Sequence, residues 1–142
     1  MEYVRINERI RDYWRDLAGS RVMPLEKEVD PDSLEDVWSH CFVVHVEGPE
    51  KYRYVYLGDE LIEAYGDDVT GYDVCETLVG EVESPFMEEF ADILDKQHPI
   101  ESQGQFINAE NVEIRYRLCL VPLGNDRGDV THILGGLKWK AL

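Results

Sequence analysis

Positive charge is scarce in this 142-residue sequence: 14 Lys and Arg stand against 30 Asp and Glu, for a net charge of −16 with His neutral. Such a surface repels phosphate backbones and anionic lipid headgroups, which argues against nucleic acid as a partner. The basic residues are spread along the chain, densest at Arg5, Arg9, Arg11, Arg15 and Arg21. Long apolar runs are missing too. Stretches such as Cys41–Val44 reach only a few residues, where a bilayer span needs about 20, so no membrane insertion is expected. The opening Met1-Glu2-Tyr3-Val4-Arg5 holds no apolar core of a signal peptide, and a cytoplasmic location is expected. Cysteines are few, odd in number and far apart (Cys41, Cys75, Cys119), which reads as reduced, buried thiols and not as a disulfide framework.

What remains is ample for folding. The hydrophobic fraction is 44% and the charged fraction 31%, too apolar for a disordered chain. At about 150 residues per domain the length suits one domain, able to bury about 68–70% of its unfolded surface without disulfide or metal. Ile6, Ile10, Tyr13, Trp14 and Leu17 recur at helical spacing and predict a helix over 6–17, closed by Gly19. Asp30-Pro31 is a helix start, followed by Leu34, Val37 and Trp38 on one face up to His40. Cys41–Val46 and Lys51–Leu57 read as strands around the turn Gly48-Pro49-Glu50, an antiparallel hairpin with Tyr52, Tyr54 and Tyr56 on one face. Leu61, Ile62 and Tyr65 suggest a short helix ending at Gly66. Ser84-Pro85 opens a longer helix over 85–97, with Phe86, Phe90, Ile93 and Leu94 as its apolar stripe and Pro99 as its stop. Three strands follow: Ile100–Ile107, Val112–Leu123 and Asp129–Trp139. Strands at both ends with helices between them argue for an α+β fold with an antiparallel sheet. A helical extension over 1–40 would precede a compact unit over 41–142.

That order resembles the order of a PAS domain, a small sensory fold with a five-stranded antiparallel sheet and helices over one face. The wording also resembles a bacterial group of standalone PAS proteins common in alphaproteobacteria. The residues that carry the likeness are Tyr13-Trp14, Leu17, Gly19, Arg21, Met23-Pro24, Asp30-Pro31, Tyr52-Arg53-Tyr54, Leu57-Gly58, Tyr65-Gly66, Thr70-Gly71 and Gly135-Gly136. The resemblance implies a non-catalytic sensory or signalling module that binds a small ligand or a signalling protein. It names no cofactor.

If the PAS order holds, helices cover the sheet face bearing Tyr52, Tyr54, Tyr56, Tyr116, Leu118 and Leu120, with Phe86, Phe90, Ile93 and Leu94 pressing down on it. Buried phenols need hydrogen-bond partners, which a polar ligand or water could supply; equally, the rings could simply fill the core. The other face carries Arg115, Arg117, Cys119, Val121 and Leu123, and its apolar end needs a cover. The stripe Ile6, Ile10, Tyr13, Trp14 and Leu17 is the candidate, from the same chain or from a two-fold partner, which makes a homodimer an expectation.

Other chemistry finds little support. Cys75 sits in Gly71-Tyr72-Asp73-Val74-Cys75-Glu76 without the flanking Asn, Arg and Gln of a flavin-photosensing motif. His98 reads as a helix-end residue and not as a haem ligand. His40, Cys41 and His45 cannot share a metal if 41–46 is a strand, because Cys41 and His45 would lie about 13 Å apart. Asp30-x-Asp32 starts like a calcium loop but continues with Leu34. No phosphate-binding loop is present. Two alternatives stay open: a cone-shaped isomerase or hydratase with a buried carboxylate, with Glu101 as an ambiguous candidate, and an acidic interaction protein.

Overall fold

The computed structural model describes residues 5–74 and 86–142. Buried residues at strict four-residue spacing (Ile6, Ile10, Trp14 and Ala18) make the apolar face of helix α1, Ile6–Ala18. Gly19 closes it with φ 60°, donating its N–H to the Arg15 carbonyl. The stripe therefore ends on Ala18. Leu17 is only half-buried, and Tyr13 lies at the margin, its hydroxyl accepting the Asp30 N–H at 3.0 Å.

The expected helix over 30–40 is instead two separate 3-10 turns, Pro31–Leu34 and Trp38–His40. The start signal is real: the Asp30 carboxylate accepts from the Asp32 N–H at 3.0 Å and Pro31 fills the first position. A segment of about ten residues is too short to be a stable helix on its own. Here Arg9 takes the Ser33 carbonyl and the Asp36 carboxylate, and the chain bends down into the sheet.

Five strands follow the expected order: β1 Cys41–Gly48, β2 Lys51–Leu57, β3 Ile100–Ile107, β4 Glu113–Gly124 and β5 Val130–Ala141. Helices α2 (Asp59–Tyr65) and α3 (Met87–Lys96) lie between β2 and β3. All neighbouring strands pair antiparallel, in the order β2-β1-β5-β4-β3. The first and last strands of the chain order thus meet at the centre, β1 against β5. The Ser84-Pro85 start signal lies outside the described residues.

The sheet separates two cores. On its inner face Phe42, Tyr52, Tyr54, Tyr116, Leu118, Leu120 and Leu137 meet Leu61 and Tyr65 of α2 and Phe86, Phe90 and Ile93 at α3. On its outer face Cys41, Cys119, Val121, Leu123 and Leu134 meet Ile6, Ile10 and Trp14 of α1. The cover for the outer face is therefore the chain's own N-terminal helix. Trp14 anchors it by donating its indole N–H to the Pro122 carbonyl at 2.7 Å.

Two adjacent glycines let both layers approach the same place. A Cβ on Gly135 would sit 2.2 Å from the Phe42 ring on the inner side. One on Gly136 would sit 2.9 Å from Ile10 on the outer side. Each glycine is the space its neighbour occupies.

Tyr56 departs from the expected tyrosine face. Val43 pairs with Tyr56 and Val44 with Tyr54, so β2 carries one extra residue, Val55, at that step. Such a bulge re-aims the side chains on one side of it. Tyr52 and Tyr54 stay inside; Tyr56 turns to the outer core, stacks on Trp38 at 4.5 Å and donates to the Trp38 carbonyl at 2.9 Å.

Candidate functional site

The inner core is an aromatic cup. Tyr52 and Phe90 rings lie 5.1 Å apart, Phe86 and Tyr116 5.2 Å, and Tyr65 and Phe106 5.8 Å. Most of these contacts are tilted or edge-on, the arrangement that ring quadrupoles favour. Of the residues expected here, Tyr52, Tyr54, Phe86, Phe90, Ile93, Tyr116 and Leu118 are brought together, and Leu94 packs half-buried against their margin. Tyr56 is not among them. Phe42, Tyr65 and Phe106 join the cup without having been singled out for it, although Tyr65 was already marked by its Tyr-Gly helix end.

At the floor of the cup the hydroxyls of Tyr54 and Tyr65 meet at 2.8 Å, both rings buried. Burial, then the neighbouring Tyr54, pushes the Tyr65 phenol well above its usual range. Tyr116 is pushed up to about 12 by burial and by the nearby Glu89 carboxylate. These phenols stay neutral at physiological pH and act as hydrogen-bonding groups, not as bases.

A single buried asparagine positions one side of the cup. Asn108 donates its side-chain N–H to the Ala64 carbonyl at 3.0 Å and accepts from the N–H groups of Glu110 and Val112, both at 2.9 Å. Ala109 donates to the Tyr65 carbonyl at 2.9 Å. The β3–β4 turn is thereby clamped to the end of α2, which holds Tyr65 in place. An Asn between a strand and a turn gave no sequence signal beyond a loop.

At another side of the cup one buried polar group lacks a partner. The buried indole N–H of Trp139 has no hydrogen-bond acceptor. Tyr116 stands directly across from it in the β4–β5 register. The Tyr116 hydroxyl leans over Gly104, 2.8 Å from where a Cβ would sit.

The other chemical candidates lie elsewhere. Cys41 and Cys119 are buried in the outer core, on the far side of the sheet from the cup, and burial pushes both thiols up to about 12. Cys75 lies outside the described residues. His40 turns one ring nitrogen to the Leu137 carbonyl at 3.1 Å, whereas His45 stacks on His132 at 4.9 Å, so the two do not converge. His98 is exposed and faces its neighbour's carbonyl. Among the described residues no three His, Cys, Asp or Glu side chains gather as metal ligands. Glu101, the ambiguous carboxylate, is exposed on the outer side and pairs with Arg11 at 3.2 Å.

Comparison with known proteins agrees with this geometry. The chain is similar in fold to a light-oxygen-voltage domain from work on a flavin analogue, with TM-score 0.60 and 14% identity, over 77% of this chain and 82% of that one. It is also similar to the Rhodobacter sphaeroides LOV protein, with TM-score 0.55 and 15% identity, over 78% and 68% of the two chains. The LOV domain from the Erythrobacter litoralis EL346 blue-light activated histidine kinase gives TM-score 0.55 and 11% identity over 72% and 95%. Among curated proteins no significant match is found. At these identities the solved structures speak for the fold alone. The family model described as PAS domain, however, matches residues 3–138. Nearly the whole sequence, the two-sided sheet and the helices over its inner face agree on one assignment: the chain belongs to the PAS domain family.

Proposed function

We propose that the chain is a non-catalytic sensory or signalling module of the cytoplasm, whose aromatic cup receives a small, largely apolar ligand. The observation that supports this most directly is the pair at the cup's side. A buried N–H without an acceptor is disfavoured by about 1–3 kcal/mol, and Trp139 has one, directly across the register from Tyr116. A ligand bearing an acceptor oxygen would satisfy Trp139 and accept a hydrogen bond from the Tyr116 hydroxyl as well. Apolar walls with a few convergent polar groups are the usual make-up of small-molecule sites. The paired hydroxyls of Tyr54 and Tyr65 would add orientation.

Native mass spectrometry of freshly purified protein, with its near-ultraviolet and visible absorption, tests the reading. Bound mass that is lost in Trp139→Phe, while that variant melts no lower than the native chain, supports it. An apo mass, with no melting shift from any member of a small-ligand library, sinks it. The α1 stripe covers its own sheet, so this reading does not require the homodimer that an unpartnered stripe would have demanded.

A further inference from the structure

Beyond the end of α1 the outer sheet face carries a different surface. The register sets Arg115 opposite Lys140 and Arg117 opposite Lys138, with Gln105 and Gln103 completing the two rows on β3. All six side chains are exposed. They alternate with Tyr116, Leu118 and Trp139, which point inward, so the six share the outer face. Together with Gly104, Tyr116 and Trp139, the block lines a concavity of about 860 Å³. Among the described residues no carboxylate pairs with Arg115, Arg117 or Lys140. The flanking rows hold Glu101, which Arg11 already neutralises, and Glu113.

Like charges set directly opposite on a sheet repel, and here two such pairs sit side by side in a protein of net charge −16. We propose that this grid is a docking surface for a short acidic segment of another protein, one that presents alternate carboxylates from an extended strand. The dimensions favour that occupant. Strand spacing is about 4.8 Å and alternate residues lie about 6.6–6.8 Å apart, so the grid covers roughly 10 by 7 Å. Carboxylates on alternate residues of an extended segment have the same spacing as the two rows. A nucleic acid would outrun the grid and meet the acidic remainder within about one Debye length, 8 Å at physiological salt. A second copy paired by two-fold symmetry would lay cations on cations.

The test uses the full chain and a labelled peptide with glutamate at alternate positions, read by fluorescence anisotropy. The same peptide with glutamine and a short oligothymidine of equal charge are the comparisons. Saturable binding of the glutamate peptide alone, weakening with added salt and at least about tenfold poorer for Arg117→Glu and for Lys138→Glu, is the expected result. The proposal is overturned by any of three outcomes: no saturable peptide binding, equal binding to the charge-reversed variants, or oligothymidine binding as tightly as the peptide. Sedimentation velocity adds a further check. Concentration-dependent self-association that disappears in Arg117→Glu would assign the surface to a second copy and overturn it as well. Loss of the cup ligand in Trp139→Phe leaves all of these readings unchanged.

Discussion

Replacing Gly135 with alanine separates a general expectation from a specific one. Gly135 lies inside β5, in the pair Phe42↔Gly135, and its φ is not in the left-handed region. On backbone grounds alone, alanine in such a position is better than glycine by roughly 0.5–1 kcal/mol, because the unfolded chain loses freedom. The contacts give the opposite sign. The new Cβ would meet the Phe42 ring at 2.2, 2.4 and 2.8 Å. That ring cannot retreat: it is fully buried, with Phe86, Tyr54 and Phe90 centroids 6.0, 6.3 and 6.4 Å away. Overpacking of this kind destabilises by about 1–3 kcal/mol. For a chain of this size that lowers the melting temperature by roughly 2–12 °C. Urea unfolding followed by tryptophan fluorescence measures it. Phe42→Leu in the same chain should recover part of the loss, giving a favourable coupling of about 0.5–3 kcal/mol in the double-mutant cycle. A Gly135→Ala variant that melts at or above the native temperature refutes the reasoning, since it would mean that the ring does not occupy that space.

Asn108→Ala removes three hydrogen bonds and leaves the Ala64 carbonyl without its donor; about 1–3 kcal/mol of stability should be lost in urea unfolding. Arg117→Glu turns the repulsive pair with Lys138 into an attractive one and should raise stability of the free chain by about 0.2–1 kcal/mol, even as it removes the docking grid; calorimetry decides, and a drop would argue against the repulsion. His132 has its pKa lowered by burial first and by His45 last, with Glu26 opposing. Its unfolded form therefore binds a proton more readily than its folded form. The native chain should lose stability as pH falls below 6.5 towards the folded value. His132→Gln should lose less over the same interval, and identical pH profiles for the two chains would contradict this.

Local punctuation made much of the architecture legible. Lys51–Leu57 and Ile100–Ile107 were read to the residue because Pro49, Gly58 and Pro99 mark their limits. The two faces of β4 were legible because Tyr116 and Leu118 alternate with Arg115 and Arg117. What failed depends on partners distant in sequence. The bulge at Val55 exists only in the pairing with β1, so a strict two-residue alternation carried Tyr56 to the wrong side. The segment after Asp30 has a helix start but gives its carbonyl and carboxylate groups to Arg9 of α1. The cation grid joins an Arg-x-Arg to a Lys-x-Lys about twenty residues later, and only the register makes them one surface. In the cup, the expected stripe of α3 was right, while Phe42 and Tyr65 needed the sheet order to be placed.

The outer side of β2 has its own consequence. As the last strand of the sheet it would ordinarily offer main-chain groups to any passing chain. At Tyr54 those groups are already taken: its N–H donates to the Tyr72 carbonyl at 3.1 Å, and its carbonyl accepts from Gly71 at 2.7 Å. Arg53 bridges Asp73 beside them. The chain thus seals this rim with its own loop, and growth of the sheet by strand addition is blocked at its middle.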